Sequence, residues 1–164
     1  MSEIDYVIPA LKIEQEAVFN FADLYKLMKS WFDFHRYDFY EREHVDISQE
    51  EAKSDFLKWE AERKVDDYVK FHIEMRIKLI NVKEVHLKES MGVQGGINIK
   101  FESFLEKDYE DNWEKNFFIK FVRGLYDHFL LRDRFARYGN ELKDETYDIF
   151  NQVKAFLRLR SVKA

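Results

Sequence analysis

Few residues of this chain have types and spacing that permit chemistry, and most of them are carboxylates and imidazoles on strand-like segments. Glu41 and Glu43 lie two positions apart, on one side of a strand. Such a carboxylate pair can divide general-acid and general-base duties if its surroundings separate the two pKa values. His44 with Asp46, and His72 with Glu74, share that spacing and so the reach for a common metal ion. Arg63 falls on the apolar face of its strand, at a wet strand end or at the mouth of a pocket, where it could hold a polar ligand group. Gln15 lies on the apolar side of the first strand and could line the same space.

Each of these also has a plainer reading. A Glu-x-Glu pair on a strand usually faces water, and charged residues are seldom fully buried. The histidines look outward and no HExxH-like motif accompanies them, so the expectation is no metal site and no cofactor. There is no nucleophile elbow and no phosphate loop. The chain has no cysteine, which excludes disulfides, thiol catalysis and thiolate metal sites together, and a cytoplasmic location is the simplest expectation. The balance leans away from an enzyme.

Composition narrows the partners. The net charge is −5, which argues against general affinity for a nucleic-acid backbone. Lys115, Lys120, Arg123, Arg132, Arg134 and Arg137 read as a solvated helix face with local pairs such as Arg123–Asp127 and Asp133–Arg137. The acidic start, Met1 to Asp5, has no signal-peptide pattern. No apolar run approaches the roughly 18 residues of a transmembrane helix. Aromatic content reaches 17%, with 16 Phe and 9 Tyr, enough to fill a core densely or to line a cavity.

The elements that must position these residues read as one α+β domain, 1–164. Its core is a curved antiparallel sheet of about five or six strands, with an N-terminal helix, a long C-terminal helix and a further terminal helix. Val7, Pro9, Leu11, Ile13, Gln15 and Ala17 share one face of the first strand, and Pro9 marks an edge. Asn20 caps a helix whose apolar face is Phe21, Leu24, Leu27, Met28, Trp31 and Phe32. Tyr37–Ile47 is a strand in which either a bulge corrects the parity or Glu41 and Glu43 face the apolar side. Ser48 to Glu51 looks like a cap and a helical turn.

Residues 54–80 form the clearest hairpin. A three-residue loop, Asp66-Asp67-Tyr68, pairs Ala61 with Ile73 and Trp59 with Met75, opposing the two apolar faces; a two-residue turn would not. The second strand continues toward Lys88 with a bulge or bend at Ile80-Asn81-Val82. Gly92 to Gly96 reads as the next hairpin loop, followed by a strand over Ile97–Leu105. Trp113–Tyr138 is a long helix with a wide apolar arc, stopped at Gly139. Asp144–Leu159 is a last helix with Tyr147, Phe150, Val153 and Leu157 on one face, and the long helix is expected between it and the sheet.

This order, with the strand at Val7–Ala17, the helix at Phe21–Phe32, the meander to Leu105 and the helix at Trp113–Leu130, resembles the START/Bet v 1-like (SRPBCC) helix-grip superfamily. The likeness is of element order, with one helix after the first strand where the family usually has two, and a helix added after the long one. It implies a hydrophobic or aromatic small molecule held between sheet and long helix. The ligand-binding candidates are then Gln15, Glu41, Glu43, Arg63, Phe121, Gly124 and Leu125. Gly124 costs a helix interior about 1 kcal/mol relative to Ala and could admit a close ligand. The leading reading is thus a non-enzymatic binding module. The alternatives are a protein-interaction or homo-oligomer component working through Trp113–Leu159, and an enzyme with a pocket carboxylate at Glu41 or Glu43.

Overall fold

Alternating apolar and polar residues generate five strands: β1 Glu3–Phe19, β2 Asp38–Gln49, β3 Ala52–Lys64, β4 Val69–His86 and β5 Met91–Lys107. Residues with a 3.6-residue apolar period form two helices, α1 Phe21–Phe34 and α2 Arg132–Arg158. The computed structural model describes residues 2–49, 52–109, 121–122, 124–125 and 132–160. All strand pairs are antiparallel, in the order β1-β5-β4-β3-β2, so the sheet is open with β1 and β2 at its edges. The first helix follows β1 rather than starting the chain, and the described residues hold two helices, not three. Sheet and C-terminal helix are compatible with a helix-grip arrangement.

The β3–β4 hairpin has the expected register. Ala61 pairs with Ile73, Trp59 with Met75 and Glu62 with His72. Asp66 Oδ1 closes the loop by accepting from the Tyr68 and Val69 amides, both at 2.8 Å. In β2 the bulge wins: the register shifts between Glu41 and Glu43, and both carboxylates are exposed. β1 is an edge as Pro9 predicts, but two register shifts between Tyr6 and Leu11 break its parity. Ile8 is therefore buried and Pro9 exposed, and the expected inward face resumes with Leu11, Ile13, Gln15 and Ala17.

Helix α1 is capped by Asn20, whose Oδ1 accepts from the Ala22 amide at 2.8 Å, and it buries Leu24, Met28, Trp31 and Phe32. It ends in a Schellman turn, with the Tyr37 amide on the Phe32 carbonyl and Arg36 left-handed at φ 63°.

Four other expectations fail for physical reasons. The Gly-rich segment is strand, not loop: Leu87 and Ser90 close the hairpin, and Gly92 and Gly95 lie inside β5. A Cβ on Gly95 would come within 2.9 Å of the Val82 Cα, so this glycine lets β5 approach the β4 bulge beside Asn81. Ser48 and Gln49 extend β2 instead of starting a helical turn. Helix α2 runs straight through Gly139, which lacks the positive φ of a stop. Its buried stripe is Leu142, Thr146, Ile149, Phe150, Val153, Phe156 and Leu157, leaving Tyr147 40% exposed.

It is α2 that lies on the sheet, with Phe150 edge-on to Phe101 at 5.8 Å. Most of Trp113–Leu130 lies outside the described residues. Its described members Phe121, Val122 and Leu125 are 64%, 42% and 47% exposed, so they do not pack between sheet and α2. Asp133 and Arg137 form no ion pair among the described residues; Arg134 reaches Asp66 at 3.0 Å instead. The Arg123–Asp127 pair falls outside the described residues.

Candidate functional site

Of the residues the sequence singles out, Arg63 has the most elaborate surroundings. It sits at the end of β3, where the end of α1, the start of β2 and the middle of α2 converge. Nη1 donates to the His35 carbonyl at 2.9 Å and to Glu145 Oε1 at 3.0 Å, and Nη2 donates to Glu141 Oε1 at 2.8 Å. The guanidinium lies over the Tyr37 and Phe71 rings at 4.8 and 5.0 Å. Burial opposes its charge, but Tyr37, Glu145 and Glu141 outweigh that and hold the pKa above its ordinary value. Tyr37 donates its hydroxyl to Glu145 Oε2 at 2.5 Å. Burial, then the Glu145 charge, raise the Tyr37 pKa far above the usual phenol range, so it stays a neutral donor. Nearby, Trp31 donates to Asp148 Oδ2 at 2.6 Å and stacks on His35 at 3.8 Å.

This network borders an open cleft of about 460 Å³ lined by His35, Arg36, Asp38, Arg63, Lys64, Val65 and Glu141. Its central cation is already engaged by two carboxylates and a carbonyl. Arg63 therefore acts as a clamp that fastens β3 to α2.

The other expected residues do not join it. Gln15 donates to the Leu157 carbonyl at 2.7 Å, tying β1 to the far end of α2. Leu157 and Glu145 are separated by about 18 Å of helix. Glu41 and Glu43 are exposed on edge strand β2, on either side of the bulge, with Glu41 hydrogen-bonded to the Tyr25 side chain. Phe121 and Leu125 are exposed, and a Cβ at Gly124 would meet nothing within 4 Å. On the helix-facing side of the sheet, Phe19, Phe32, Trp59, Phe71 and Phe101 are fully buried in one continuous core.

The other side of the sheet holds a groove that residue-by-residue reading does not reveal. Register places Lys12, Lys100, Arg76 and Lys58 side by side across four strands, and Glu14, Asn98, Lys78 and Phe56 in the adjoining row. The groove encloses about 290 Å³ among Lys12, Glu14, Phe56, Arg76, Lys78, Asn98 and Lys100, over the backbone of Ile13 and Ile99. Like charges directly opposite one another destabilise a sheet. Here the next row offsets them in part: Arg76 donates to Glu102 at 2.8 Å and to Glu74 at 3.3 Å, Lys100 donates to Glu102 at 2.6 Å, and Lys58 lies 3.8 Å from Glu74. Lys12 and Lys78 have no ion-pair partner among the described residues, and the Asn98 amide has no hydrogen-bond partner there.

The signal for this groove was the polar side of each strand, with Lys12 and Glu14 on β1 and Asn98 and Lys100 on β5. Only the β1–β5–β4 register brings those sides together. No protein-family model matches the sequence, and no curated protein matches it.

Proposed function

We propose that this protein is a non-enzymatic binding module that takes a small organic anion in the groove on the open face of its sheet. The apolar or aromatic part of the ligand rests against Phe56, and its carboxylate or phosphate head lies among Lys12, Lys78, Lys100 and Asn98. The observation that carries this reading is the convergence on one concave site of two lysines and an amide that have no partner among the described residues, beside two further cations. Charge-assisted hydrogen bonds from such donors favour an anion over a neutral molecule. The volume is at the lower end for small-molecule sites. The helix-grip-like layout supports a binding role, but large buried side chains fill the helix-facing side of the sheet, so the ligand moves to the opposite face.

Phenyl phosphate is a suitable probe, followed by amide chemical shifts. The expected result is saturable shifts at Lys12, Lys78 and Asn98 with a Kd of about 0.1–1 mM. The double variant Lys12→Glu/Lys78→Glu should weaken binding at least tenfold. Absence of saturation by about 10 mM, or shifts clustered elsewhere, would overturn the assignment.

A second reading has one observation behind it. The exposure of Phe121, Val122 and Leu125 suits a contact surface for assembly through the C-terminal segment. Light scattering of the wild type and of Phe121→Asp/Leu125→Asp tests it: a dimer lost in the variant supports assembly, and a monomer at all concentrations removes it.

A further inference from the structure

We infer that His72, Glu60 and Glu62 form a binding site for a divalent transition-metal ion, with Zn²⁺ the best match to the ligand set. The site is separate from the anion groove: Glu60 stands in the Glu74–Glu102 row of the same sheet face, and Glu62 and His72 in the row beyond it. Glu60 and Glu62 project from one side of β3, and His72 on β4 is directly opposite Glu62. One ligand atom from each of the three lies within 4.8 Å of the others.

The imidazole is the informative member. A histidine on a charged sheet face is ordinarily solvated, but His72 is only 5% exposed and its ring stacks on Phe104 at 4.7 Å with an interplanar angle of 7°. Its orientation is thus set before any ligand arrives. Nε2 lies 2.8 Å from Glu106 Oε2, the geometry of a histidine donating to a carboxylate behind it. That contact leaves the Nδ1 lone pair facing Glu60 Oε1 at 3.2 Å. With Nε2 so engaged, Nδ1 is the ring nitrogen available to an ion shared with Glu60 Oε1.

The surroundings favour a metal cradle. A carboxylate behind the ligating histidine is the outer-sphere partner that metal-bound imidazoles almost always have. Glu60 is anchored in the same way through its other oxygen, which accepts from Arg42 Nε at 2.7 Å and leaves Oε1 free to ligate. Glu62 is steadied by Lys70 at 3.6 Å. One nitrogen and two oxygens without a thiolate select a borderline or hard divalent ion and disfavour Cu(I). Bonds of about 2.0–2.2 Å place tetrahedral ligand atoms about 3.4 Å apart. Glu62, whose side chain is 22% exposed, supplies that contraction by side-chain rotation. Glu60 and Glu62 reach the surface, so a fourth position stays open to water, as in sites where Zn²⁺ acts on a substrate.

The test is calorimetric titration of the chelator-treated full chain with ZnCl₂. The expected result is one saturable equivalent with a Kd below about 10 μM. His72→Gln and Glu62→Gln should each weaken it at least tenfold, and His44→Gln, on the exposed edge, should leave it unchanged. His72 is buried, so its variant is scored only if circular dichroism shows a native fold; Glu62→Gln decides the matter otherwise. No saturable equivalent up to 1 mM ZnCl₂, or one that persists in Glu62→Gln, would overturn the site.

Discussion

Replacing Arg63 by Met tests whether the clamp at the end of β3 holds the sheet to α2. Met keeps most of the side-chain volume and its contact with the Tyr37 and Phe71 rings, so the change isolates charge and hydrogen bonding. Three hydrogen bonds are lost. The Glu141 partner is half exposed, and such a pair contributes about 0–1 kcal/mol. The bonds to Glu145 and to the His35 carbonyl are different, because Arg63 and Glu145 are only 17% and 15% exposed. Hydrogen bonds involving a charged group contribute about 1.5–3 kcal/mol each, and their loss leaves Glu145 with Tyr37 as its remaining donor. The expected destabilisation is therefore about 3 kcal/mol, with a Tm lower by roughly 6–12 °C for a chain of this size. Glu141→Gln should cost less than about 1 kcal/mol. Urea unfolding monitored by tryptophan fluorescence measures both. Equal, sub-kilocalorie losses for Arg63→Met and Glu141→Gln would refute the reasoning, because they would mean that water serves Glu145 as well as the guanidinium does.

Two further outcomes follow from the same structure. Ser103 is fully buried on β5 and its hydroxyl has no hydrogen-bond partner among the described residues. Ser103→Ala should stabilise the fold by about 1 kcal/mol with an unchanged urea m-value, since an unpaired buried hydroxyl is replaced by an apolar methyl. Tyr37 has a folded-state pKa raised from 10.0. The stability it contributes is fully present below pH 10 and is lost as pH rises beyond it, by up to about 1.4 kcal/mol per pH unit. Tyr37→Phe should flatten that alkaline slope in chemical denaturation series run from pH 9 to pH 11.

The parts of this fold that are legible in the sequence are those where a wrong choice would invert a whole face. The β3–β4 register is the clearest instance, because a slip of one residue would turn Trp59, Ala61 and Ile73 out to water. The Asn20 cap and the Leu24–Met28–Trp31–Phe32 stripe are local and legible for the same reason. The parity conflict at Glu41 and Glu43 also announces itself, and the paired strand resolves it as a bulge. Glycine is where local reading misleads. Gly95 serves close approach of two strands, and Gly139 is carried through a helix by the burial of Leu142 beyond it. Arg63 reads correctly as an inward charge, but its partners Glu141 and Glu145 lie about eighty residues away, where no local pattern reaches. The anion groove is hidden for a related reason, because its rows exist only once β1, β5 and β4 are in register.

Those rows bear on why the face has its present charge layout. Glu60, Glu74 and Glu102 are mutually opposite, and so are Lys58, Arg76, Lys100 and Lys12. Sliding β4 by two residues against β5 in one direction would set Glu74 across from Lys100, Arg76 across from Asn98 and His72 across from Glu102, a better direct pairing that leaves the same faces inward. Surface charge therefore does not choose the register. The Asp66 loop, the Gly95 contact and the core choose it, and the charges settle for diagonal partners. Diagonal pairing leaves a residue of unneutralised charge at each margin of the alternating rows. On one side Lys12 and Lys78 have no ion-pair partner among the described residues, although Glu14 lines the same groove. On the other, Glu60 is shared between Arg42 and His72, and Glu106 stands behind the imidazole. One register thus produces a cationic margin and an acidic margin on the same open face. The proposed anion at the first and the proposed divalent cation at the second would each relieve the mismatch that backbone geometry imposes.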